Sequence, residues 1–150
     1  MQKILFVCHG NICRSPMAQY LLAHLAAERG LACRTQSAAT SREEIGNPIY
    51  PPARRKLREK GIPFGDHRAV QMTRQDYGAY DLLLAMDQAN VRNMTAIAGG
   101  DPAGKIHRLL DFTDHPRDIA DPWYTGDFEA TYDDLLQGCQ ALLDWLEDQD

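Results

Sequence analysis

The chain has 150 residues, 44% hydrophobic and 25% charged, a balance that suits one soluble globular domain over 1–150. Its net charge of -5 argues against broad nucleic-acid binding, and no apolar run approaches the roughly 20 residues of a membrane helix. The brief apolar run before Gly10-Asn11 is too short for a signal peptide, so the four cysteines are expected as reduced thiols of a cytoplasmic protein.

Apolar runs alternate with helical patterns, which predicts β-α-β units around a parallel sheet. Residues 3–7 form a short β-rich run, as in a buried central strand. Ser15-Pro16 predicts a helix start, with serine as the N-cap and proline at the first helical position. That helix carries Met17, Leu21 and Leu25 on one stripe, with Ala18 and Leu22 beside it, and stops at Gly30. A second strand is expected over 32–37. Gly46, Pro48, Pro51 and Pro52 then mark 41–52 as a loop, followed by a basic helix over 53–60. Leu82-Leu83-Leu84 predicts a third strand over 81–86, and a helix over 88–98 ends at Gly99-Gly100. A weaker fourth strand is expected over 105–109. Phe128, Tyr132, Leu135, Leu136, Cys139, Leu142, Leu143 and Leu146 make one apolar face of a long final helix. The polar loop before it, 111–127, is longer than a simple connector needs, and such loops often carry chemistry.

The loop after the first strand reads Cys8-His9-Gly10-Asn11-Ile12-Cys13-Arg14-Ser15 and leads into a helix. Backbone N–H groups and the helix dipole converge there, which makes an anion site. Gly10 and Asn11 are residue types that tolerate the left-handed backbone of such a cradle. A cysteine at the start of the loop sits in the same positive field, which favours the thiolate, the nucleophilic form. Arg14 can fold back over the loop and grip two phosphate oxygens with its planar fork, which a lysine could not do. Ser15 can donate a hydrogen bond to the thiolate. A cysteine followed six residues later by arginine is common by chance; the strand before and the Ser-Pro helix start after give the spacing its weight.

The segment Val7-Cys8-His9-Gly10-Asn11-Ile12-Cys13-Arg14-Ser15-Pro16 resembles the signature of low-molecular-weight protein tyrosine phosphatases. That family also carries an Asp-Pro-aromatic motif, and Asp121-Pro122-Trp123-Tyr124 stands in the long loop here. The resemblance implies a three-layer α/β, flavodoxin-like fold with a four-stranded parallel sheet of order 2-1-3-4. It implies that Cys8 attacks phosphorus, that Arg14 binds the phosphoryl group, and that Asp121 protonates the leaving group and then activates water. Asn11 and Ser15 match loop-shaping positions, and His67 matches a histidine that hydrogen-bonds to the loop. By the same resemblance, His9, Gly10, Ile12 and Cys13 would complete the phosphate cradle. Trp123 and Tyr124 would wall the cleft and stack on a substrate ring. No cofactor or metal is implied. The partner implied is a phosphotyrosine protein substrate, for bacterial relatives often opposing a tyrosine kinase, with no nucleic acid or membrane and a monomer or weak dimer.

Plainer readings stand beside these. Cys8 could be a buried cysteine after a strand, Asp121 a turn aspartate before proline, and His67 a surface histidine. Zinc on Cys8, His9 and Cys13 would lack a fourth ligand and the usual hook spacing. Cys13 either fills space or, as the family resemblance suggests, forms a protective disulfide with Cys8 under oxidation. Cys33 and Cys139 are expected in the core. The run Arg54-Arg55-Lys56-Leu57-Arg58 reads as a solvated helix face, with attraction of acidic phosphopeptides as the less favoured alternative.

The chain departs from its family at Glu43, where many relatives have an aromatic wall, often tryptophan. Tyr50 stands where relatives commonly have aspartate, and it is expected to replace part of the lost aromatic surface. Two carboxylates, Glu43 and Glu44, then stand near the cleft mouth, where they repel acidic peptides. Protein arginine phosphatases share the scaffold but have threonine at the position of Ile12. Thiol-dependent arsenate reductases need further cysteines near the third strand, where this chain has Leu84-Ala85-Met86-Asp87. A phosphate-binding regulatory module without turnover would have no use for Asp121.

Overall fold

The computed structural model describes residues 1–149. Four strands, β1 (Gln2–Cys8), β2 (Cys33–Ala39), β3 (Leu82–Ala85) and β4 (Ile106–Arg108), pair in parallel in the order β2-β1-β3-β4. The helices are α1 (Arg14–Glu28), α2 (Pro51–Glu59), α3 (Asp76–Ala79), α4 (Gln88–Ala98), α5 (Pro122–Thr125) and α6 (Phe128–Asp148). The parallel sheet, its order and its flanking helices match the flavodoxin-like expectation.

β1 is central because its side chains serve two cores. Ile4, Phe6 and Cys8 join the cluster built with α1, α2 and α6, whereas Leu5 and Val7 join Met94 and Ala98 of α4. A strand covered on both faces needs no polar alternation, which explains its unbroken apolar run. Burying each large aliphatic or aromatic side chain of this kind contributes about 1.5–3 kcal/mol. The α6 stripe is buried as its period predicts from Tyr132 to Leu146, with Phe128 and Leu136 partly buried at its margin. Gly138 lets α6 press against the 3-10 turn Leu109–Phe112: a Cβ there would lie 2.5 Å from Leu109 Cγ.

Several local expectations need correction. α1 starts two residues early, at Arg14 rather than Pro16, with Cys13 in the N-cap position and no side-chain cap. Ser15 does not cap the helix because its hydroxyl is bound to Asn11 and faces Cys8. Pro51 and Pro52, expected in the loop, form the first turn of α2, where the missing N–H groups have no helical partner to lose. β4 is shorter than expected: Leu109 enters the 3-10 turn, anchored by Arg108 N–H donating to Asp111 Oδ2 at 3.0 Å. α3 went unpredicted, being a single turn around Gly78, and the loop 111–127 contains α5. Cys139 is in the core, but Cys33 is only half-buried. The basic run is not wholly solvated, since Leu57 is buried and Lys56 bridges Glu59 and Glu129 at 2.8 and 2.7 Å.

In a sheet of this order the chain leaves β1 to one side for β2 and then crosses to the other side for β3. The connections after β1 and β3 therefore diverge and leave a crevice at the carboxyl ends of the strands. Cys8 closes β1 at that edge, and Asp87 follows β3 there.

Candidate active site

The turn after β1 is held by its own side chains. Asn11 adopts φ 61°, the one left-handed non-glycine residue among those described. Such a backbone costs about 1 kcal/mol or more and persists where neighbours fix it. The neighbours are specific. Val70 N–H donates to Asn11 Oδ1 at 3.1 Å, which fixes the amide so that Nδ2 donates to Ser15 Oγ at 2.8 Å. With that lone pair occupied, the Ser15 hydroxyl hydrogen is free to point at Cys8 Sγ, 3.0 Å away. Asn11 N–H also reaches Cys8 Sγ, at 3.3 Å. The sulfur therefore faces two donors, an arrangement that suits a thiolate acceptor.

His67 completes the brace. Its Nε2 lies 3.1 Å from both the backbone carbonyl and Oδ1 of Asn11. Both are acceptors, so Nε2 carries the proton and donates to the pair. Burial lowers the His67 pKa below its ordinary value, although the bond to Asn11 works the other way.

Arg14 is buried, its side chain 3% exposed. Its NH1 donates to Asp87 Oδ2 at 2.7 Å and to the Ile119 carbonyl at 2.9 Å. Both hydrogens of NH1 are thereby used, and the Nε–NH2 edge holds only a 3.4 Å contact with Asp121 Oδ2. Burial opposes the guanidinium charge, but charge at Cys8, the bond to Asp87 and charge at Asp121 overcome it and raise the pKa. Asp121 is the N-cap of α5: Oδ1 accepts from Trp123 N–H at 3.0 Å, which leaves Oδ2 turned towards Arg14. Asp87 is likewise split between two tasks, with Oδ1 capping α4 through Asn90 N–H at 2.8 Å.

A cavity of about 100 Å³ opens over this floor, lined by the run from Cys8 to Arg14, by Glu43 and Glu44, and by Asp121, Trp123 and Tyr124. Trp123 is 50% exposed and Tyr124 81%, so aromatic surface stands free at the mouth. Burial drives the Cys13 pKa far up, with charge at Cys8 and Asp121 adding to it, which keeps that thiol neutral. Among the described residues no three His, Cys, Asp or Glu side chains form a metal-holding group.

The model of the low molecular weight phosphotyrosine protein phosphatases matches residues 3–150. The chain belongs to this family of enzymes. It is 40% identical over 147 residues to the low molecular weight protein-tyrosine-phosphatase YfkJ of Bacillus subtilis, covering 95% of this chain and 94% of that one. It is 33% identical to the low molecular weight protein-tyrosine-phosphatase PtpA of Staphylococcus aureus, covering 97% and 94%. The crystal structure of YfkJ superposes with a TM-score of 0.96 at 38% identity, over 100% of this chain and 97% of that one. A Drosophila arginine phosphatase superposes with a TM-score of 0.89 at 28% identity, over 100% of both chains.

The structure of this phosphatase brings the expected residues together in two bonded sets, Cys8 with Ser15, Asn11 and His67, and Arg14 with Asp121, which meet at one cavity. Tyr50 is not among the residues lining the cleft. It stands behind Trp123, ring centroids 4.8 Å apart, stacks on Phe128 at 6.2 Å, and donates its N–H to the Ile12 carbonyl at 2.9 Å. It backs the wall rather than replacing the missing aromatic. Asp87 and the Ile119 carbonyl, which anchor Arg14, went unpredicted. Asp87 carries only an N-cap signal in the sequence, and its partner lies 73 residues away.

Proposed function

We propose that this phosphatase hydrolyses phosphotyrosine and other aryl phosphate monoesters through a phosphocysteine on Cys8. In the first step Cys8 Sγ attacks phosphorus, a P–S bond forms, and the P–O bond to the phenol breaks. Asp121, protonated at that moment, gives its proton to the leaving phenolate oxygen. In the second step the Asp121 carboxylate takes a proton from water as the water oxygen attacks phosphorus. The P–S bond breaks, and Ser15 O–H with Asn11 N–H receives the thiolate again. The Nε–NH2 edge of Arg14 grips two phosphoryl oxygens, displacing the long contact to Asp121 and freeing that carboxyl for the leaving group.

The observation that carries this reading is the pair of donors on Cys8 Sγ beside a buried arginine with one edge open. Trp123 and Tyr124 supply the stacking wall for an aryl ring, and Ile12 adds an apolar contact on the cleft floor. Phosphoarginine is the competing substrate, favoured by the similarity to the Drosophila arginine phosphatase. No described helix is long and apolar enough to cross a membrane, and the reading places the enzyme in the cytoplasm, as a monomer or weak dimer. There it acts on phosphotyrosine proteins, an autophosphorylating bacterial kinase being the partner class.

The test is hydrolysis of p-nitrophenyl phosphate, a phosphotyrosine peptide and phosphoarginine in EDTA, with Cys8→Ser as control. Turnover of the two aryl phosphates that ends with Cys8→Ser and spares phosphoarginine supports the proposal. Preference for phosphoarginine overturns the substrate and keeps the chemistry. Phosphate binding without turnover of any of them leaves a sensor.

A further inference from the structure

The rim of the cleft has a charge opposite to that of its floor. Glu43 and Glu44 line the same cavity as Cys8 and Arg14. Their segment is tied to the phosphate loop, since Ser41 N–H and its hydroxyl both donate to the His9 carbonyl, at 3.1 and 2.9 Å. Glu43 Oε2 lies 2.9 Å from His9 Nε2, and Glu44 Oε2 accepts from Asn47 Nδ2 at 2.6 Å. Glu44 also packs over Gly10, where a Cβ would sit 3.4 Å from its Cγ. Both carboxylates are thus held in place, yet neither has a lysine or arginine within ion-pair distance among the described residues. Arg14, the one such cation lining the cavity, is buried beneath the rim and already bound to Asp87.

A phosphotyrosine seated with its phosphate on Arg14 brings its flanking residues up to this rim. Acidic flanks would meet two carboxylates that no lysine or arginine among the described residues neutralises, and basic flanks would pair with them. We propose that Glu43 and Glu44 select phosphotyrosines flanked by lysine or arginine, an inference that rests on the phosphotyrosine reading above. The Glu43 side chain is 69% exposed, so each contact is partly screened and the preference is moderate and sensitive to salt.

The test compares kcat/KM for three phosphotyrosine peptides of equal length, with basic, neutral or acidic residues on both sides of the tyrosine. The wild-type enzyme is expected to favour the basic peptide over the acidic one by about three- to tenfold at low salt, less at high salt. Glu43→Gln with Glu44→Gln should bring the ratio close to unity, and Glu43→Lys with Glu44→Lys should invert it. Ratios are taken within each variant, so a partly folded preparation does not alter them. A wild-type ratio at or below unity, or one unchanged in both double variants, overturns the inference. p-Nitrophenyl phosphate is run alongside: its hydrolysis with no flank preference defeats the rim alone, whereas no hydrolysis by the wild type defeats the phosphatase reading as well.

Discussion

The floor and the rim of the cleft are built on different terms. On the floor every functional side chain has several partners: Asn11 alone binds Val70, His67 and Ser15, and Arg14 binds Asp87 and the Ile119 carbonyl. On the rim Trp123, Tyr124 and Glu43 stand largely exposed with few bonds. Buried, cross-bonded polar groups hold one geometry and tolerate little change. Exposed side chains on short turns can be exchanged without disturbing what lies beneath. On the proposed reading, the chemistry therefore belongs to the floor and the choice of substrate to the rim.

Substitutions on the floor should have the largest effects. Cys8→Ser is expected to lower aryl phosphate turnover to background while the fold persists, measured by steady-state kinetics beside circular dichroism. Asp121→Asn should slow turnover by about 10²-fold or more on substrates with poor leaving groups, and less on activated ones. Equal loss across a series of leaving groups would remove Asp121 from the role of acid. Asp87→Asn should reduce kcat/KM by about tenfold, because it weakens the bond that orients Arg14 and no group in contact with substrate. If Asp87→Asn leaves kcat/KM unchanged while Trp123→Ala costs more than tenfold, the division between floor and rim fails.

How much of this was visible in the sequence follows from where the partners lie. The strand, the loop and α1 are consecutive, so Cys8, Asn11, Arg14 and Ser15 could be assigned together. The floor's other supports come from 56 to 107 residues away, as with His67, Val70, Asp87 and Asp121. His67 and Asp121 were visible only because motifs marked them. Asp87 had no such mark and went unseen. Ser15 was misread as a cap because its hydroxyl is used by the site, a tertiary demand that overrides local preference. Pro51-Pro52 was misread as a breaker because the same residues serve at the start of a helix. Tyr50 was expected in the cleft, but sequence position carries no information on which side of Trp123 a ring will lie.

A smaller effect probes the brace beneath the floor. Burial lowers the His67 pKa from its ordinary 6.5, so the unfolded chain holds a proton that the folded chain refuses in the window just below that value. The contribution of neutral His67 to stability is complete above about pH 6.5 and is lost as pH falls through the window towards the lowered value. His67→Gln should remove this part of the acid sensitivity, seen as a urea midpoint that falls less than that of the wild type between about pH 7.5 and pH 5.5. An equal fall in both proteins would show that His67 does not titrate with unfolding.

Trapping the intermediate tests the central claim most directly. Asp121→Asn, mixed rapidly with an activated aryl phosphate whose leaving group needs no acid, should accumulate a phosphorylated enzyme, because the base that activates water is gone. Denaturing quench and peptide mass spectrometry should place the phosphate on the peptide carrying Cys8, at its sulfur. Phosphate on another residue, or steady turnover with no phosphoenzyme detected at any time, would contradict the account.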